Sequence, residues 1–271
     1  MAKFLTLNTH SWMEEGQETK LNQLAERILQ EKYDVICLQE VNQLMESEQV
    51  VQAPFYQAVE GAIAIHQDHF ALCLVKKLAK AGLDYHWSWA YNHIGFDIYN
   101  EGVAILSRKP IAPREVLVSE VNDPRDYHTR KVLLAETEVE GQLMTIASCH
   151  LSWWDKGLQG EWSKLEEELL KVETPLVLMG DFNNPVDYEG YQHIIKSPLK
   201  LQDSHKVAQK ISGRATVEGE IAGWDGNQDA LKIDYIFTSQ GIQIESSAVV
   251  FDGKGTPVVS DHFGLEVEAK F

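Results

Sequence analysis

The sequence predicts an α/β fold in which two β-sheets pack face to face within one domain spanning residues 1–271. Near the amino terminus an apolar run, a helically spaced segment and a second apolar run follow one another, which is the order of a parallel βαβ unit. The second half of the chain contains segments of the same kinds, and no low-complexity linker separates the halves. A hydrophobic content of 44% supports a full core.

The first βαβ unit places two polar side chains at one edge of the predicted sheet. Residues 3–8 and 34–38 are apolar runs typical of buried strands, and residues 21–29 carry apolar side chains at helical spacing. Ligands bind at the carboxyl ends of parallel strands. We therefore expect Asn8 and Glu40, which stand at these ends, to converge.

The middle of the chain alternates between helical and strand-like patterns. The predicted elements are helices over residues 70–81 and 158–169 and strands over residues 85–94, 102–107, 131–139 and 143–149. Gly82 suits the position after a helix end. Glu101 precedes one of these strands, Arg130 opens the next, and His150 ends the last.

A short apolar run at residues 176–179 carries the strongest functional signal. Gly180 then permits a sharp turn, and Pro185 stops further strand pairing. Asp181 and Asn183 lie between them, two residues apart in extended chain, so their side chains point the same way. A carboxylate and an amide at a strand tip suit a hard cation or a phosphate oxygen, although polar turns show the same pattern.

The carboxyl-terminal part adds two strands and three candidate residues. Residues 231–238 form a predicted strand that carries Asp234. Alternating apolar residues from 263 to 271 predict a half-exposed strand. Asp261 and His262 stand immediately before it, which places them at a strand end.

Net charge argues against polyanionic partners. The chain carries a charge of −17, and no run of lysine or arginine exceeds a pair such as Lys76-Lys77. Duplex-binding proteins normally show a basic stripe, and anionic membranes attract basic segments. We therefore expect a small or metal-chelated substrate, no nucleic acid partner and no stable membrane association.

The amino terminus and the cysteines indicate a cytoplasmic protein. The opening residues lack a signal-peptide hydrophobic region, and no apolar run approaches membrane-spanning length. Cysteines are odd in number, and Cys37 and Cys149 sit inside apolar runs, where we expect reduced core thiols. The oligomeric state stays open.

Each candidate residue also has a structural interpretation. A histidine at a strand end is more often a hydrogen-bonded structural residue than a catalytic one. Glu40 could cap the next helix, and Asp234 could be a buried acid that pairs with an arginine. The joint pattern, with several polar residues at successive strand ends, favours a catalytic site.

Seven segments in chain order carry a resemblance to a known family. They are TLNTH, CLQEV, EGVAILSR, SCHL, MGDFN, KIDYIF and SDHF. The chain resembles the endonuclease/exonuclease/phosphatase superfamily, which has the deoxyribonuclease-I-like fold, over essentially its whole length. The resemblance implies a four-layer α/β sandwich, with two packed mixed β-sheets flanked by helices, and metal-dependent hydrolysis of a phosphoester. Residues 66–108 look most like the sphingomyelinase-like and general phosphodiesterase members.

This resemblance implies a metal site and a general base. Asn8 and Glu40 offer oxygen ligands to Mg²⁺ or Mn²⁺, and Asp261 could join them directly or through water. His262 is the candidate general base or phosphate ligand, and Asp234 would fix its orientation.

The remaining polar candidates would contact the attacking water or the phosphate. Asp181 would position the water or share the role of base, and Asn183 would donate to a phosphate oxygen. His150, if protonated, and Arg130 can both donate to the phosphate. Glu101 stands where related nucleases carry an acid that pairs with the equivalent of His150.

Tryptophans on loops suggest an aromatic rim around the substrate. Trp12, Trp153, Trp154 and Trp224 all fall on predicted loops at the catalytic edge. Because exposed tryptophan is costly without a ligand, we expect these rings to contact substrate, and the alternative is packing against flanking helices. Zinc is disfavoured, since the cysteines are scattered and His66-x-x-His69 lacks further ligands.

These observations predict a Mg²⁺- or Mn²⁺-dependent phosphoric ester hydrolase that acts on a small or lipid-derived phosphodiester, or on a phosphomonoester. The first alternative is a Mg²⁺-dependent nuclease, which should carry basic loops that this chain lacks. The second is a catalytically inactive binding scaffold, which should have lost Glu40, Asp181 or His262. The sequence does not distinguish one metal ion from two.

Overall fold

Seven strands form the first sheet of the computed structural model, which describes all 271 residues. Their spatial order is β10 (Lys210–Ser212), β14 (Gln243–Val250), β15 (Gly264–Lys270), β1 (Ala2–Asn8), β2 (Val35–Leu44), β4 (Tyr99–Ser107) and β3 (His86–Gly95). The order in the six-stranded second sheet is β5 (Ile111–Leu117), β6 (Lys131–Val139), β7 (Gln142–His150), β8 (Leu176–Asp181), β13 (Asp234–Ser239) and β9 (Leu201–Asp203). A separate ribbon pairs β11 (Val217–Glu218) with β12 (Ala230–Leu231).

Helices cover the outer faces of both sheets. They are α1 (Gln17–Glu31), α2 (Phe70–Lys80), α3 (Leu158–Leu169), α4 (Glu189–Ile195) and the short α5 (Ser204–Val207). Single turns of 3-10 helix occupy Ser11–Met13 and Trp154–Lys156. None of these helices combines the length and the apolar character needed to cross a bilayer.

Three buried clusters divide the molecule into four layers. The central cluster joins the inner faces of the two sheets and includes Phe4 and Met179. A second cluster packs α1 and α2 on the first sheet, and a third packs α3 and α4 on the second sheet around Trp162. Strands buried on both faces explain the continuous apolar runs in the sequence. The predicted α/β sandwich with two packed mixed sheets is confirmed.

Strand direction brings four strand ends to one edge of the sandwich. β7 runs parallel to β8 and the two end side by side, whereas β1 runs parallel to β2 and ends beside Gln39, from which β2 continues to Leu44. The start of β13 pairs with the end of β8, which sets Asp234 opposite Asp181. This edge carries most of the polar residues that the sequence singles out.

The sequence suggested that Glu40 lies at the end of β2. In the structure it lies on a bulge within this strand. The pairing of β2 with β4 shifts between Leu38 and Val41 and then continues to Leu44. Glu40 has a positive φ of 52°, which is uncommon for a residue with a side chain. Bulges re-aim side chains beside active sites, and this one breaks the regular alternation at the acid.

Candidate active site

A cavity of about 270 Å³ opens at the edge where the strand ends meet. Its lining includes predicted residues from both sheets: Glu40, Glu101, Arg130, His150, Trp153, Asp181, Asn183 and His262. The other lining residues come from β3, from the turn after it and from two loops: His93, Ile94, Gly95, Phe96, Tyr127, Ala222 and Gly223.

Asn8 joins the two sheets beneath this cavity. Its side chain is buried, and Nδ2 donates to Glu40 Oε1 at 2.8 Å and to Asp181 Oδ2 at 3.2 Å. The expected convergence of Asn8 and Glu40 is therefore present. The same amide reaches Asp181 on the other sheet, which the sequence alone did not indicate.

A buried histidine sits between two aspartates at the same edge. His262 Nδ1 lies 3.0 Å from Asp234 Oδ2, and His262 Nε2 lies 3.8 Å from Asp181 Oδ2. Burial alone would lower the pKa of His262, but the negative charges of Asp234 and Asp181 outweigh it and raise this pKa to about 10. Burial and the charge of Asp234 raise the pKa of Asp181 to about 7. The pair therefore combines a fixed imidazolium with a carboxyl group that titrates near neutral pH.

The surroundings of Glu40 fit a divalent cation. Burial raises the pKa of Glu40 to about 7, and the negative charges of Glu101 and Asp261 add to the rise. Glu101 and Asp261 each have a histidine within ion-pair distance, His93 and His10 respectively, and neither has a lysine or an arginine there. Mg²⁺ and Mn²⁺ prefer carboxylate and amide oxygens, and a dication would neutralise this excess charge. Glu40 could therefore hold the ion, whereas Asn8 turns its Nδ2 towards Glu40 and its Oδ1 accepts from the backbone N–H of His10.

Asp261 belongs to a second acidic group beside Glu40. Its carboxylate lies 3.8 Å from His10 Nδ1, and its backbone N–H donates to Glu14 Oε1 at 3.2 Å. Burial lowers the pKa of His10, but Glu14, Asp261 and Glu40 together raise it to about 9. A role of Asp261 as a metal ligand stays a prediction.

Glu101 pairs with His93 and not with His150, so the expected Glu101–His150 pair is wrong. Glu101 Oε1 lies 3.4 Å from His93 Nε2. The reason is register, because β3 and β4 place His93 directly opposite Glu101, while His150 ends a strand of the other sheet.

His150 faces Asp181 and Arg130. Its Nε2 lies 3.7 Å from Asp181 Oδ2. Burial lowers the pKa of His150 well below its usual value, and the charges of Arg130 and His262 lower it further. The imidazole is therefore neutral and can donate one hydrogen bond to a ligand, whereas the buried Arg130 is the fixed cation at this end.

Of the four loop tryptophans only Trp153 lines the cavity, so the prediction of a four-tryptophan rim is wrong for the other three. Trp12 donates to Asp68 O at 2.7 Å and packs edge-on against Phe70, at the helical layer. Trp154 packs on the core beneath α3 and lies 5.4 Å from the ring of His193. Both rings cover apolar core instead of the cavity.

Trp153 and Trp224 do belong to the site. Trp153 lines the cavity and lies so close to Gly223 that a Cβ there would be 2.4 Å from the indole. Trp224 Nε1 donates to Asn183 Oδ1 at 3.0 Å. Asn183 Nδ2 in turn donates to Leu151 O at 2.9 Å. Both ends of the Asn183 amide are thus fixed, and one N–H remains for a ligand.

Two exposed aromatic residues, which the sequence analysis did not single out, complete the rim of the cavity. Phe96 is 53% exposed in the turn after β3, and Tyr127 is 55% exposed in the loop before β6. The signal was a large aromatic residue inside a polar segment, close in sequence to Glu101 or to Arg130. His93 could not be identified as a site residue from the sequence, because its position beside Glu101 depends on the pairing of β3 with β4.

Comparisons with known proteins place these features in a family context. The sequence model described as the Endonuclease/Exonuclease/phosphatase family matches residues 12–262. An endonuclease/exonuclease/phosphatase family protein from Leptotrichia buccalis is 33% identical, with a TM-score of 0.86 and full coverage of both chains. The human Nocturnin catalytic domain with bound sulfate has a TM-score of 0.67 at 19% identity, covering 100% of this chain and 93% of that one. That likeness concerns the fold alone.

One relative carries a named phosphodiesterase function. Mouse 2′,5′-phosphodiesterase 12 is 23% identical over 270 residues, which cover 88% of this chain. The matched region is 43% of the mouse protein, so this chain corresponds to less than half of its length.

Proposed function

The chain belongs to the endonuclease/exonuclease/phosphatase family, and we propose that it is a Mg²⁺- or Mn²⁺-dependent phosphodiesterase for small phosphodiesters. Hydrolysis of phosphoesters, generally with a divalent metal, is the chemistry of this family. The observation that carries the proposal is the convergence of Glu40, Asp181, Asn183 and His262 on one cavity.

Glu40 is the central metal ligand in this proposal. Asn8 is hydrogen-bonded to it, and Asp261 contributes negative charge close by. When bound, the ion would polarise a phosphoryl oxygen and offset negative charge on the departing alcohol. Burial favours the protonated form of Glu40, and a bound metal ion would stabilise the ionised carboxylate.

Asp181 and His262 would divide the proton chemistry. With a pKa of about 7, the Asp181 carboxylate can accept a proton from the attacking water at neutral pH. His262 is held as a cation by Asp234, so its Nε2–H would donate to a phosphoryl oxygen. This division supports the phosphate-ligand role for His262 over the role of general base.

Three further donors would orient the phosphate. Asn183 has one free amide N–H, and neutral His150 can donate one hydrogen bond. Arg130 supplies the positive charge, with no carboxylate partner to compete for it. Fixed donors of this kind lower the barrier because they need no reorganisation during the reaction.

Charge and cavity size favour small diesters over nucleic acid. A net charge of −17 gives no long-range attraction to a polyanion. A cavity of about 270 Å³ suits part of a small molecule. The free cysteines, two of them buried, are consistent with the proposed cytoplasmic location.

A substrate and metal panel tests this proposal. We expect bis-p-nitrophenyl phosphate to be hydrolysed with Mg²⁺ or Mn²⁺ and not in EDTA, with weak or no nicking of plasmid DNA. His262→Ala should lose most of the activity, whereas His193→Ala, which removes an exposed histidine on α4, should keep it. Efficient, salt-sensitive plasmid nicking would instead support the nuclease, and full activity in EDTA would contradict the metal.

A further inference from the structure

Four side chains that line the cavity each carry a buried polar atom without a hydrogen-bond partner in the protein. They are Arg130 Nε, Trp153 Nε1, His93 Nδ1 and Glu101 Oε2. All four residues line the same cavity. Three of them, His93, Glu101 and Arg130, are only 4–6% exposed. Unpaired atoms of this kind are few in native proteins and normally require an explanation.

Strand pairing fixes two of these side chains, His93 on β3 and Glu101 on β4. The register of β3 and β4 holds His93 opposite Glu101, and the ion-pair distance of 3.4 Å occupies Oε1 and leaves Oε2 free. Gly95 makes the space for this oxygen, since a Cβ there would lie 2.8 Å from it. Trp153 is held against Gly223.

A ligand that places an apolar group beside these four atoms would bind weakly, because it leaves them unpaired. Each buried donor or acceptor left unpaired costs about 1–3 kcal/mol. A hydroxyl group both donates and accepts, so it can pair with an acceptor such as Glu101 Oε2 and with a donor such as Trp153 Nε1. The exposed rings of Phe96 and Tyr127 can cover the C–H face of such a group.

We propose that Glu101, His93 and Trp153, beside the phosphate-binding Arg130, form a subsite that selects phosphodiesters whose alcohol portion carries hydroxyl groups, such as a polyol or a sugar. This inference rests on the proposed phosphodiesterase activity and narrows its substrate class. It excludes diesters whose group at this subsite is a plain hydrocarbon chain. Sites that bind a substrate hydroxyl reject the analogue lacking it more strongly than apolar pockets distinguish a methylene.

A matched pair of substrates tests the subsite. 2,3-Dihydroxypropyl p-nitrophenyl phosphate and propyl p-nitrophenyl phosphate differ only in two hydroxyl groups. We expect kcat/KM to favour the dihydroxy substrate by about tenfold or more, the value of one well-formed hydrogen bond to a buried group. The same preference is expected in the affinities of 3,4-dihydroxybutylphosphonate and butylphosphonate, which report binding without turnover.

Three variants assign the preference to these residues. Glu101→Gln changes the acceptor, Trp153→Phe keeps the ring and removes only the N–H, and Gly95→Ala pushes the Glu101 carboxylate. Each should move the ratio of the two kcat/KM values towards one, whereas the exposed Glu46→Gln should leave the ratio unchanged.

The outcomes separate this inference from the proposed function. Hydrolysis of both diesters at equal rates, or equal affinity for the two phosphonates, would overturn the subsite and leave the phosphodiesterase intact. A preference that survives in both Glu101→Gln and Trp153→Phe would also overturn it. Failure to hydrolyse either diester, together with a clear phosphonate preference, would contradict only the proposed function.

Discussion

The hydrogen bond from Trp224 to Asn183 gives a sharp test of how the site is organised. Trp224 Nε1 lies 3.0 Å from Asn183 Oδ1, and Asn183 Nδ2 donates to Leu151 O. Trp224→Phe removes the N–H and keeps an aromatic ring on the small cluster that includes Ile233. The Asn183 amide then keeps only its hydrogen bond to Leu151 O, so it is held less firmly in the orientation that aims its remaining N–H at the phosphate.

The expected loss follows from one hydrogen bond. A buried hydrogen bond contributes about 0.5–1.5 kcal/mol, so kcat/KM should fall by about two- to tenfold. The melting temperature should change little, because the ring contacts of Trp224 remain. Trp154→Phe is the matched control, since Trp154 packs beneath α3 and does not line the cavity.

A double-mutant cycle with Asn183→Ala provides the assay. If Trp224 acts only through Asn183, Trp224→Phe should have no further effect on kcat/KM once the amide is gone. An equal loss in the Asn183→Ala background would refute the positioning role of Trp224. So would an equally large loss in Trp154→Phe.

Three other predictions concern the acid–base pair, the metal and the fold. His262→Ala and Asp234→Asn should be strongly non-additive in kcat, since Asp234 acts through His262; additive losses would separate them. Because protons compete for Glu40 below its pKa of about 7, the calorimetric Mg²⁺ affinity should fall by up to about tenfold per pH unit between pH 7 and 5. Asp203→Asn should lower the free energy of unfolding by about 3 kcal/mol, because the buried Lys232 loses its partner at 3.1 Å. Adding Lys232→Met should restore part of that loss in urea titrations.

The buried strands were predictable because burial on both faces leaves a continuous apolar run. Residues 176–179 became the core of β8, and residues 34–38 became the start of β2. Strands at or next to a sheet edge lacked that signal: the edge strand β5 contains Pro113, and half of β14, the second strand of its sheet, is polar or charged. Their pairing partners, and not their own periodicity, make them strands.

The site residues were predictable where a strand end alone positions them. Asn8, His150 and Asp181 follow apolar runs, so their edge could be inferred before their contacts were known. The bulge at Glu40 and the pairing of Glu101 with His93 could not, because both depend on the register of β4 against its neighbours. The periodicity of a single strand does not determine its register against a strand that is distant in sequence.

Tryptophan on a loop proved to be an ambiguous signal. Trp12 and Trp154 cover apolar core next to helices, whereas Trp153 contacts the cavity and Trp224 orients a neighbour. All four share the same sequence context of a polar segment after a strand or before one. Only the path of each loop determines which surface the ring meets.

Metal-dependent phosphodiester hydrolysis through Glu40 is tested most directly by measuring binding and turnover together. Protein stripped with EDTA is titrated with Mg²⁺ while calorimetry reports binding and bis-p-nitrophenyl phosphate reports hydrolysis. We expect activity to appear with the same midpoint as binding in the wild type and in the exposed control Glu46→Gln, and both signals to be lost in Glu40→Gln. Unchanged Mg²⁺ binding and unchanged turnover in Glu40→Gln would contradict the assignment of this cavity as the metal-dependent active site.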